Sequence, residues 1–142
     1  MAETVKRPAP AQEAWGLMAK LFWEMRPRML RVAAESGLTP PQLFALRALD
    51  PDHPVPMREL ASQLRCDNSN VTGLVDGLEA QGLVERRLAD HDRRMRMLVV
   101  TERGMEVRKR LQATMAEVPE ALAALSLADQ RTLRDVLRRA LG

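Results

Sequence analysis

Residues 56–104, PMRELASQLRCDNSNVTGLVDGLEAQGLVERRLADHDRRMRMLVVTERG, decide the fold of this chain. Apolar residues recur at helical spacing in two short stretches, which predicts one helix over residues 57–65 and a second helix after a tight turn. Asp67 or Asn68 is suited to cap the second helix, which we expect to end at Gly82. Two short helices joined in this way form a helix-turn-helix, whose second helix can enter a DNA major groove.

A β-hairpin is predicted directly after this unit. Strands are expected at Leu83–Leu88 and Met95–Val100, with a polar turn between them. We call this hairpin the wing. Arg93 and Arg94 lie at its turn, where guanidinium groups can reach phosphates or a narrow minor groove. The alternative is a charged hairpin that only resists edge-to-edge aggregation, with Asp92 and Arg94 paired locally. Residues 85–96 contain five arginines and three acids: Arg86, Arg87, Arg93, Arg94 and Arg96, with Glu85, Asp90 and Asp92.

The outward face of the second helix is small and polar. With Val71, Leu74, Val75 and Leu78 facing a core, the opposite face presents Ser69, Asn70, Gly73, Asp76 and Gly77, with Thr72 beside it. Hydroxyl and amide groups can bond base edges or phosphates, and short side chains allow close approach. A solvated surface helix would have a similar composition. The predicted DNA-binding residues are Ser69, Asn70, Thr72, Gly73, Asp76, Arg93, Arg94 and Arg96.

Upstream, two more helices are predicted. Pro27 lies inside the first, so we expect a kink or break near Arg26. Gly37 ends that helix, and Thr39 caps the next one, over residues 40–49. We interpret residues 50–56, with three prolines, as a stiff loop. The apolar seam of the first helix consists of Trp15, Met18, Phe22, Met25, Met29 and Val32.

Downstream, two further helices are predicted. Thr101 caps the first, and Pro119 is expected to bend it. Ser126 and Asp129 form a capping pair for the last helix. The predicted fold class is therefore mainly α with a small β-hairpin wing, a winged helix-turn-helix flanked by N- and C-terminal dimerisation helices. The predicted domains are a flexible arm at 1–10 and a single domain at 11–142, with dimerisation helices at 11–36 and 101–142 and a DNA-binding lobe at 40–100.

Composition bounds the class of protein. The chain has 142 residues, 46% of them hydrophobic and 29% charged, which is globular composition. No apolar window is long enough to span a membrane, and the first 16 residues lack the apolar core of a secretory signal. One cysteine excludes an intramolecular disulfide, so we expect a cytoplasmic protein. The net charge of +3 is too small to indicate nucleic acid by itself.

Three segments together resemble the MarR (multiple antibiotic resistance regulator) family. They are residues 58–64 (RELASQL), residues 70–86 (NVTGLVDGLEAQGLVER) and residues 92–104 (DRRMRMLVVTERG). The last is similar to the family's wing pattern, an Asp-Arg-Arg run followed by Leu-Thr and Gly. Gly37-Leu-Thr and the Leu-Ser-Leu-Ala-Asp before the final helix extend the resemblance, which covers nearly all of the chain beyond residue 10.

The resemblance implies a homodimer whose N- and C-terminal helices interlock. Each subunit would offer one recognition helix and one wing to a pseudo-palindromic operator in double-stranded DNA, with the two helices about 10 base pairs apart. Three departures bear on this. Gly73 and Gly77 stand where many relatives carry Arg, Val100 replaces a Leu, and Pro56-Met57 stands where a Ser or Thr cap is common. These departures leave the operator sequence open.

Members of the family often release DNA when a small aromatic or anionic ligand binds. The candidate ligand-binding residues are Trp15, Met18, Phe22 and Met25, with Arg26 or Arg28 to meet an anion. The same apolar stripe is also what a dimer core requires. Repression is favoured over activation, because blocking a promoter needs only occupancy.

The sequence also leaves room for other functions. Cys66 lies just before the recognition helix, so a thiol-based redox regulator is one alternative, although a lone cysteine is more often a small buried hydrophobe. A winged-helix module that binds protein instead of DNA is another. No nucleophile with its base, carboxylate pair or phosphate-binding loop suggests an enzyme, and no cofactor is expected. His53 and His91 lie far apart in sequence and suggest no metal site.

Overall fold

A computed structural model describes residues 9–142. Within that range the chain forms seven helices and one three-stranded sheet, and it divides into two compact units. The first unit, residues 27–115, includes the predicted lobe at 40–100 and is called the lobe from here on. The second unit, which we call the terminal unit, is residues 9–26 together with residues 116–142. The elements are α1 Pro10–Glu35, α2 Pro40–Ala48, β1 Val55–Pro56, α3 Met57–Leu64, α4 Asn68–Ala80, β2 Val84–Leu88, β3 Arg96–Val100, α5 Glu102–Ala116, α6 Glu120–Ala123 and α7 Leu127–Leu141.

The lobe is held together by one apolar core. Helices α2 to α5, the end of α1 and the sheet all contribute side chains to it. Burying a Leu or Val side chain fully contributes about 1.5–3 kcal/mol, so this set dominates the stability of the lobe. The side chains that are almost completely buried are Leu43, Leu46, Leu49, Leu60, Val71, Val75, Leu78, Leu83, Val84, Leu98 and Leu111.

The sheet has the order β1-β3-β2 and is antiparallel throughout. The β2–β3 pair confirms the predicted hairpin, with Arg86 opposite Leu98. Strand β1 corrects the expectation that residues 50–56 are only a loop, because Val55 pairs with Leu98 on the other side of β3. Proline has no N–H to donate to a neighbouring strand. Pro56 is tolerated in β1 because β1 is a short strand at the edge of the sheet.

Side-chain caps explain where α2 begins in the lobe and where α7 begins in the terminal unit. Thr39 and Gln42 form a capping box at α2: the Thr39 hydroxyl accepts from the Gln42 N–H, and the Gln42 side chain accepts from the Thr39 N–H. Ser126 caps α7 by accepting from the Asp129 N–H at 3.1 Å, as predicted. Asp67 stands at the cap position of α4 but makes no side-chain hydrogen bond there. Pro56 likewise gives α3 no side-chain cap.

The effects of two prolines differ in part from those predicted. Helix α1 continues across Pro27 to Glu35, so of the predicted kink or break the break is absent, and the kink stays a prediction. Pro119 was expected only to bend a helix, yet α5 ends at Ala116 and α6 starts after Pro119. A proline lacks the N–H that would continue the helix, and Pro119 is therefore found at the start of the next one. The predicted arm at residues 1–10 lies mostly outside the described residues, and Pro10 is already the first residue of α1.

The terminal unit buries no side chain within the chain. All three buried residues of α1 belong to the lobe, and neither α6 nor α7 has a buried residue. Large apolar side chains are exposed along these helices instead. They are Trp15, Leu17, Met18, Phe22 and Trp23 on α1, and Val118, Leu125, Leu127, Val136, Leu137 and Leu141 near the C-terminus.

Candidate nucleic-acid interface

Helix α4 has the two faces that its sequence predicted. Val71, Val75 and Leu78 are completely buried, and Leu74 is half-buried. On the other face Ser69, Asn70, Thr72 and Gly73 are exposed. The Thr72 hydroxyl donates to the carbonyl of Asn68 at 2.8 Å, which leaves its oxygen able to accept a hydrogen bond. A Cβ added at Gly73 would meet no heavy atom within 4 Å, so this position lies in open space.

Gly77 does not belong to that outward face. A Cβ at Gly77 would lie 1.9 Å from Nε2 of Gln42, so the glycine permits a close approach between α4 and α2. The expectation that Gly77 lies on the open face opposite the core is therefore wrong. Helical spacing places Gly77 on that side of α4, but it contains no information about the neighbouring helix α2.

Asp76 is held by an arginine of the wing. Arg86 on β2 donates to Asp76 at 2.6 Å and to Glu79 at 3.0 Å, and its side chain is only 18% exposed. The hydrogen bond to Asp76 is the main reason why the pKa of the Arg86 guanidinium is raised above its ordinary value. The two ion pairs of Arg86 join β2 to α4, so the carboxylate of Asp76 holds strand β2 against helix α4.

The other arginines of the hairpin fall into two groups. Arg87 pairs with Glu85 on the same strand at 2.7 Å. Among the described residues, the side chains of Arg93, Arg94 and Arg96 have no hydrogen-bond or ion-pair partner, and all three are exposed. Of the five arginines in the hairpin, two are therefore paired with acids of the protein and three are available to an external anion.

Asp92 orders the turn of the wing without neutralising it. Its carboxylate accepts from the backbone N–H of Arg94 at 2.8 Å, and its carbonyl accepts from the Met95 N–H at 3.0 Å. The local pairing expected as an alternative for Asp92 and Arg94 therefore involves the arginine's backbone, and the guanidinium stays free. These two hydrogen bonds order the tip of the wing.

Thr101 and Gly104 lock α5 to the start of the wing. The Thr101 hydroxyl donates to the carbonyl of Gly82 at 2.7 Å and accepts from the Gly104 N–H at 3.1 Å. A Cβ at Gly104 would lie 2.1 Å from the carbonyl oxygen of Leu83. The Thr-to-Gly spacing that marks the wing pattern therefore has a structural cause, which is this close backbone contact.

Arg108 on α5 is a structural cation that the sequence pattern did not predict. Its guanidinium donates to the carbonyls of Leu46 at 2.7 Å and Arg47 at 2.6 Å, at the end of α2. Partial burial lowers the pKa of Arg108. A cation at a helix C-terminus stabilises the last carbonyls, so Arg108 holds the end of α2 against α5.

The four predicted ligand-binding residues lie on α1 in the terminal unit. Trp15, Met18 and Phe22 are exposed, and Met25 is half-buried. Phe22 contacts Trp23 edge to face, with ring centroids 6.4 Å apart. The guanidinium of Arg26 lies 5.5 Å from the centre of the Trp23 ring. Trp23 was not among the predicted residues, because it lies one position off the seam.

The remaining candidates lie in the turns. Cys66 is exposed, and its thiol donates to the carbonyl of Leu64 at 3.3 Å. The preceding Arg65 has a left-handed backbone conformation with φ of 51°, which sets the tight turn between α3 and α4. Within residues 9–142 no group of three or more His, Cys, Asp or Glu side chains is placed to hold a metal. No helix in this range is long and apolar enough to cross a bilayer.

Comparison with known proteins agrees with this architecture. A family model described as MarR family matches residues 36–95. The transcriptional repressor MprA of Escherichia coli (strain K12) is 30% identical over 140 residues, which cover 94% of this chain and 78% of MprA. The HTH-type transcriptional repressor MdtR of Bacillus subtilis is 34% identical over 84 residues, covering 59% of this chain and 54% of MdtR, so this match spans about half of that relative.

A solved structure extends the similarity to the terminal helices. A mutant of S. aureus MepR bound to an oligodeoxyribonucleotide superposes with a TM-score of 0.66 and 19% identity, and the alignment covers 90% of this chain and 95% of that chain. The shared fold therefore includes more than the winged helix-turn-helix. From the family model and the near full-length match to MprA, the chain belongs to the MarR family of transcription regulators.

Proposed function

We propose that this chain is a homodimeric repressor of a pseudo-palindromic operator. Each subunit places α4 in a major groove, with Ser69, Asn70 and Thr72 toward the bases, and Gly73 allows close approach. Arg93 and Arg94 at the tip of the wing contact phosphates or the adjacent minor groove. Asp76 is left out of this contact set, because Arg86 already holds its carboxylate.

The observation that carries the proposal is the division of the wing arginines. Arg86 and Arg87 are neutralised by acids, whereas Arg93, Arg94 and Arg96 have no partner in the described part of the chain. Unpaired cations on an ordered turn are suited to an external polyanion, since the duplex carries one negative charge per about 1.7 Å. The names of MdtR and MprA as repressors, and the oligodeoxyribonucleotide in the MepR structure, support the same conclusion.

The terminal unit supports the homodimer. Helix α7 has 15 residues and buries none of them, and an isolated helix of that length is marginal in water. An open groove of about 690 Å³ runs along α6 and α7 and is lined mainly by leucines. A second copy of the chain would cover this apolar surface. Of the predicted dimerisation segments, 11–36 and 101–142, we therefore assign this role to the parts in the terminal unit, residues 11–26 and 116–142.

A small aromatic or anionic effector is the finer part of the proposal. Trp15, Met18, Phe22 and Met25 would contact its ring, and Arg26 would meet its charge. With benzoate as the probe, release of bound DNA should weaken in Trp15→Ala, while DNA affinity without benzoate stays close to that of the parent. An unchanged response would remove Trp15 from the site.

Binding to DNA tests the function itself. DNA selected by the protein from a random pool is titrated with the parent, Arg93→Gln and Arg94→Gln at several salt concentrations. Arg87→Gln is the matched control, because it removes the same charge from a paired arginine of the same hairpin. We expect each tip variant to bind roughly tenfold or more weakly and with a shallower salt dependence. Equal affinities for all variants at every salt concentration would remove the wing from the interface, and failure to select any DNA would favour a protein-binding module.

A further inference from the structure

Two arginines of the wing, Arg94 and Arg96, share a groove with a further arginine on α3. A groove of about 480 Å³ opens between the start of α3 and the hairpin, with both sides inside the lobe. Its apolar lining comes from Pro56, Met57, Met95 and Leu98, and its charged lining from Arg58, Arg86, Arg94, Arg96 and Asp92. Arg58 on α3 was not among the predicted DNA-binding residues.

The charges of this groove are unbalanced. Arg86 is already bonded to Asp76 and Glu79, so it adds no available cation. Asp92 is the one acid in the lining, and one of its carboxylate oxygens accepts from the Arg94 N–H. The guanidiniums of Arg58, Arg94 and Arg96 remain without a partner among residues 9–142. Like charges that share one groove repel one another, and an anion placed between them would relieve that repulsion.

The geometry points to a seat for a backbone phosphate of DNA, formed by Arg58 from α3 and by Arg94 and Arg96 from the wing. This inference rests on the proposed function and adds to it a contact that carries no sequence information. Guanidinium groups match phosphate oxygens in charge and in bidentate geometry. The two sides of the groove come from the helix-turn-helix and the wing, so one phosphate would connect both to the same strand of the duplex.

A phosphate seat has a signature that base contacts lack. Losing it weakens selected and randomised duplexes equally, because every sequence has the same backbone. It also reduces the slope of log affinity against log salt by about 0.9 for each phosphate neutralised, hence about 1.8 for a dimer with two seats. A base-reading residue would instead weaken the selected duplex more than the randomised one.

The test measures Arg58→Gln and Arg96→Gln against both duplexes from about 50 to 200 mM salt, with Arg87→Gln as the charge-matched control. We expect each variant to lose about 5- to 30-fold in affinity for both duplexes, and to show the smaller salt slope. The control should change little. Thermal unfolding of each variant by circular dichroism verifies that the lobe is intact.

Three outcomes would overturn the seat. The first is a salt slope in Arg58→Gln and Arg96→Gln equal to that of the parent. The second is a loss of affinity in these variants that is confined to the selected duplex. The third is an equally large loss of affinity in Arg87→Gln. In each of these the parent still binds its selected DNA, so the proposed function survives; if the parent binds no DNA, the proposed function itself fails. Inorganic phosphate is the probe for a small anion: binding at low millimolar phosphate that is lost in Arg58→Gln, while the DNA affinity of that variant stays unchanged, would assign the groove to a free anion instead of the duplex.

Discussion

The lobe and the terminal unit differ in what each buries. Residues 27–115 enclose a continuous apolar core, whereas residues 9–26 and 116–142 leave every side chain at least partly exposed. The lobe therefore has the contacts that a folded domain needs within one chain. The terminal helices lack them, because helices of this length depend on packing an apolar face. It follows that the lobe has its core within one chain, and that the proposed dimer would supply the packing that the terminal helices lack.

The largest effect should come from Gly104, which tests the self-sufficiency of the lobe. In Gly104→Ala the new methyl would lie 2.1 Å from the Leu83 carbonyl oxygen, and backbone cannot yield as a side chain can. We expect a loss of about 3 kcal/mol or more in the free energy of unfolding, measured with urea. Gly73→Ala is the control; its methyl points into open space and should stabilise by about 0.5–1 kcal/mol. Equal values for the two variants would refute this packing.

A smaller effect should appear in the terminal unit and should depend on protein concentration. Leu137 lines the groove along α6 and α7. In a symmetric dimer its truncation affects the interface once in each subunit. We expect Leu137→Ala to raise the dimer dissociation constant about 10- to 100-fold, measured by sedimentation equilibrium. Arg139→Ala, on the same helix but outside the groove lining, should dimerise like the parent. A parent that persists as a monomer of 16.0 kDa would contradict the dimer itself.

The contact between α4 and α2 gives a finer test of packing in the lobe. Gly77→Ala would displace the Gln42 side chain and break the capping box of α2, at a cost of about 1 kcal/mol relative to Gly73→Ala. In a Gln42→Ala background that cost should disappear, because the displaced side chain is absent. The double-mutant cycle is measured by urea unfolding. A cost that persists without Gln42 would show that something else opposes a methyl at Gly77.

The smallest effect should be the pH dependence from the loop before β1. Asp50 and His53 pair at 2.8 Å. The hydrogen bond to Asp50 raises the pKa of His53, and the Asp52 N–H, followed by His53, lowers the pKa of Asp50. The His53 contribution is complete below the ordinary value of 6.5 and is lost as the pH rises through the higher folded pKa. The Asp50 contribution is present above 3.8 and is lost as the pH falls.

The difference in the free energy of unfolding between the parent and His53→Gln should therefore be largest between pH 3.8 and pH 6.5. It should narrow as the pH rises above 6.5, and the effect should be small because both groups are exposed. Thermal unfolding over that range measures it. A gap that widened toward alkaline pH would have the wrong sign.

Periodicity and caps predicted the parts of the fold that depend on local rules. The buried residues of α4, the capping residues Thr39 and Ser126 and the hairpin pairing all follow from spacing along one segment. Features that depend on contact with a second segment of the chain were not predicted. The pairing of Val55 with β3, the contact of Gly77 with Gln42 and the bonds from Arg108 to α2 join positions that the chain brings together only on folding.

The candidate site shows the same division. The sequence shows five arginines in the hairpin, but it does not show which of them form ion pairs and which stay unpaired. The two acids on α4 that hold Arg86 lie three residues apart on one helix face, which was a usable signal for an external cation. Nothing local indicated that Arg58 shares a groove with Arg94 and Arg96, because both follow it by more than 30 residues in sequence.

The stoichiometry of the complex with DNA tests the lobe and the terminal unit together. The parent protein is mixed with the duplex that it selects from a random pool, and the mass of the complex is measured by sedimentation velocity. We predict two chains per duplex and a selected sequence with two inverted half-sites about 10 base pairs apart. One chain per duplex, or a selected sequence without inverted symmetry, would contradict the homodimeric repressor.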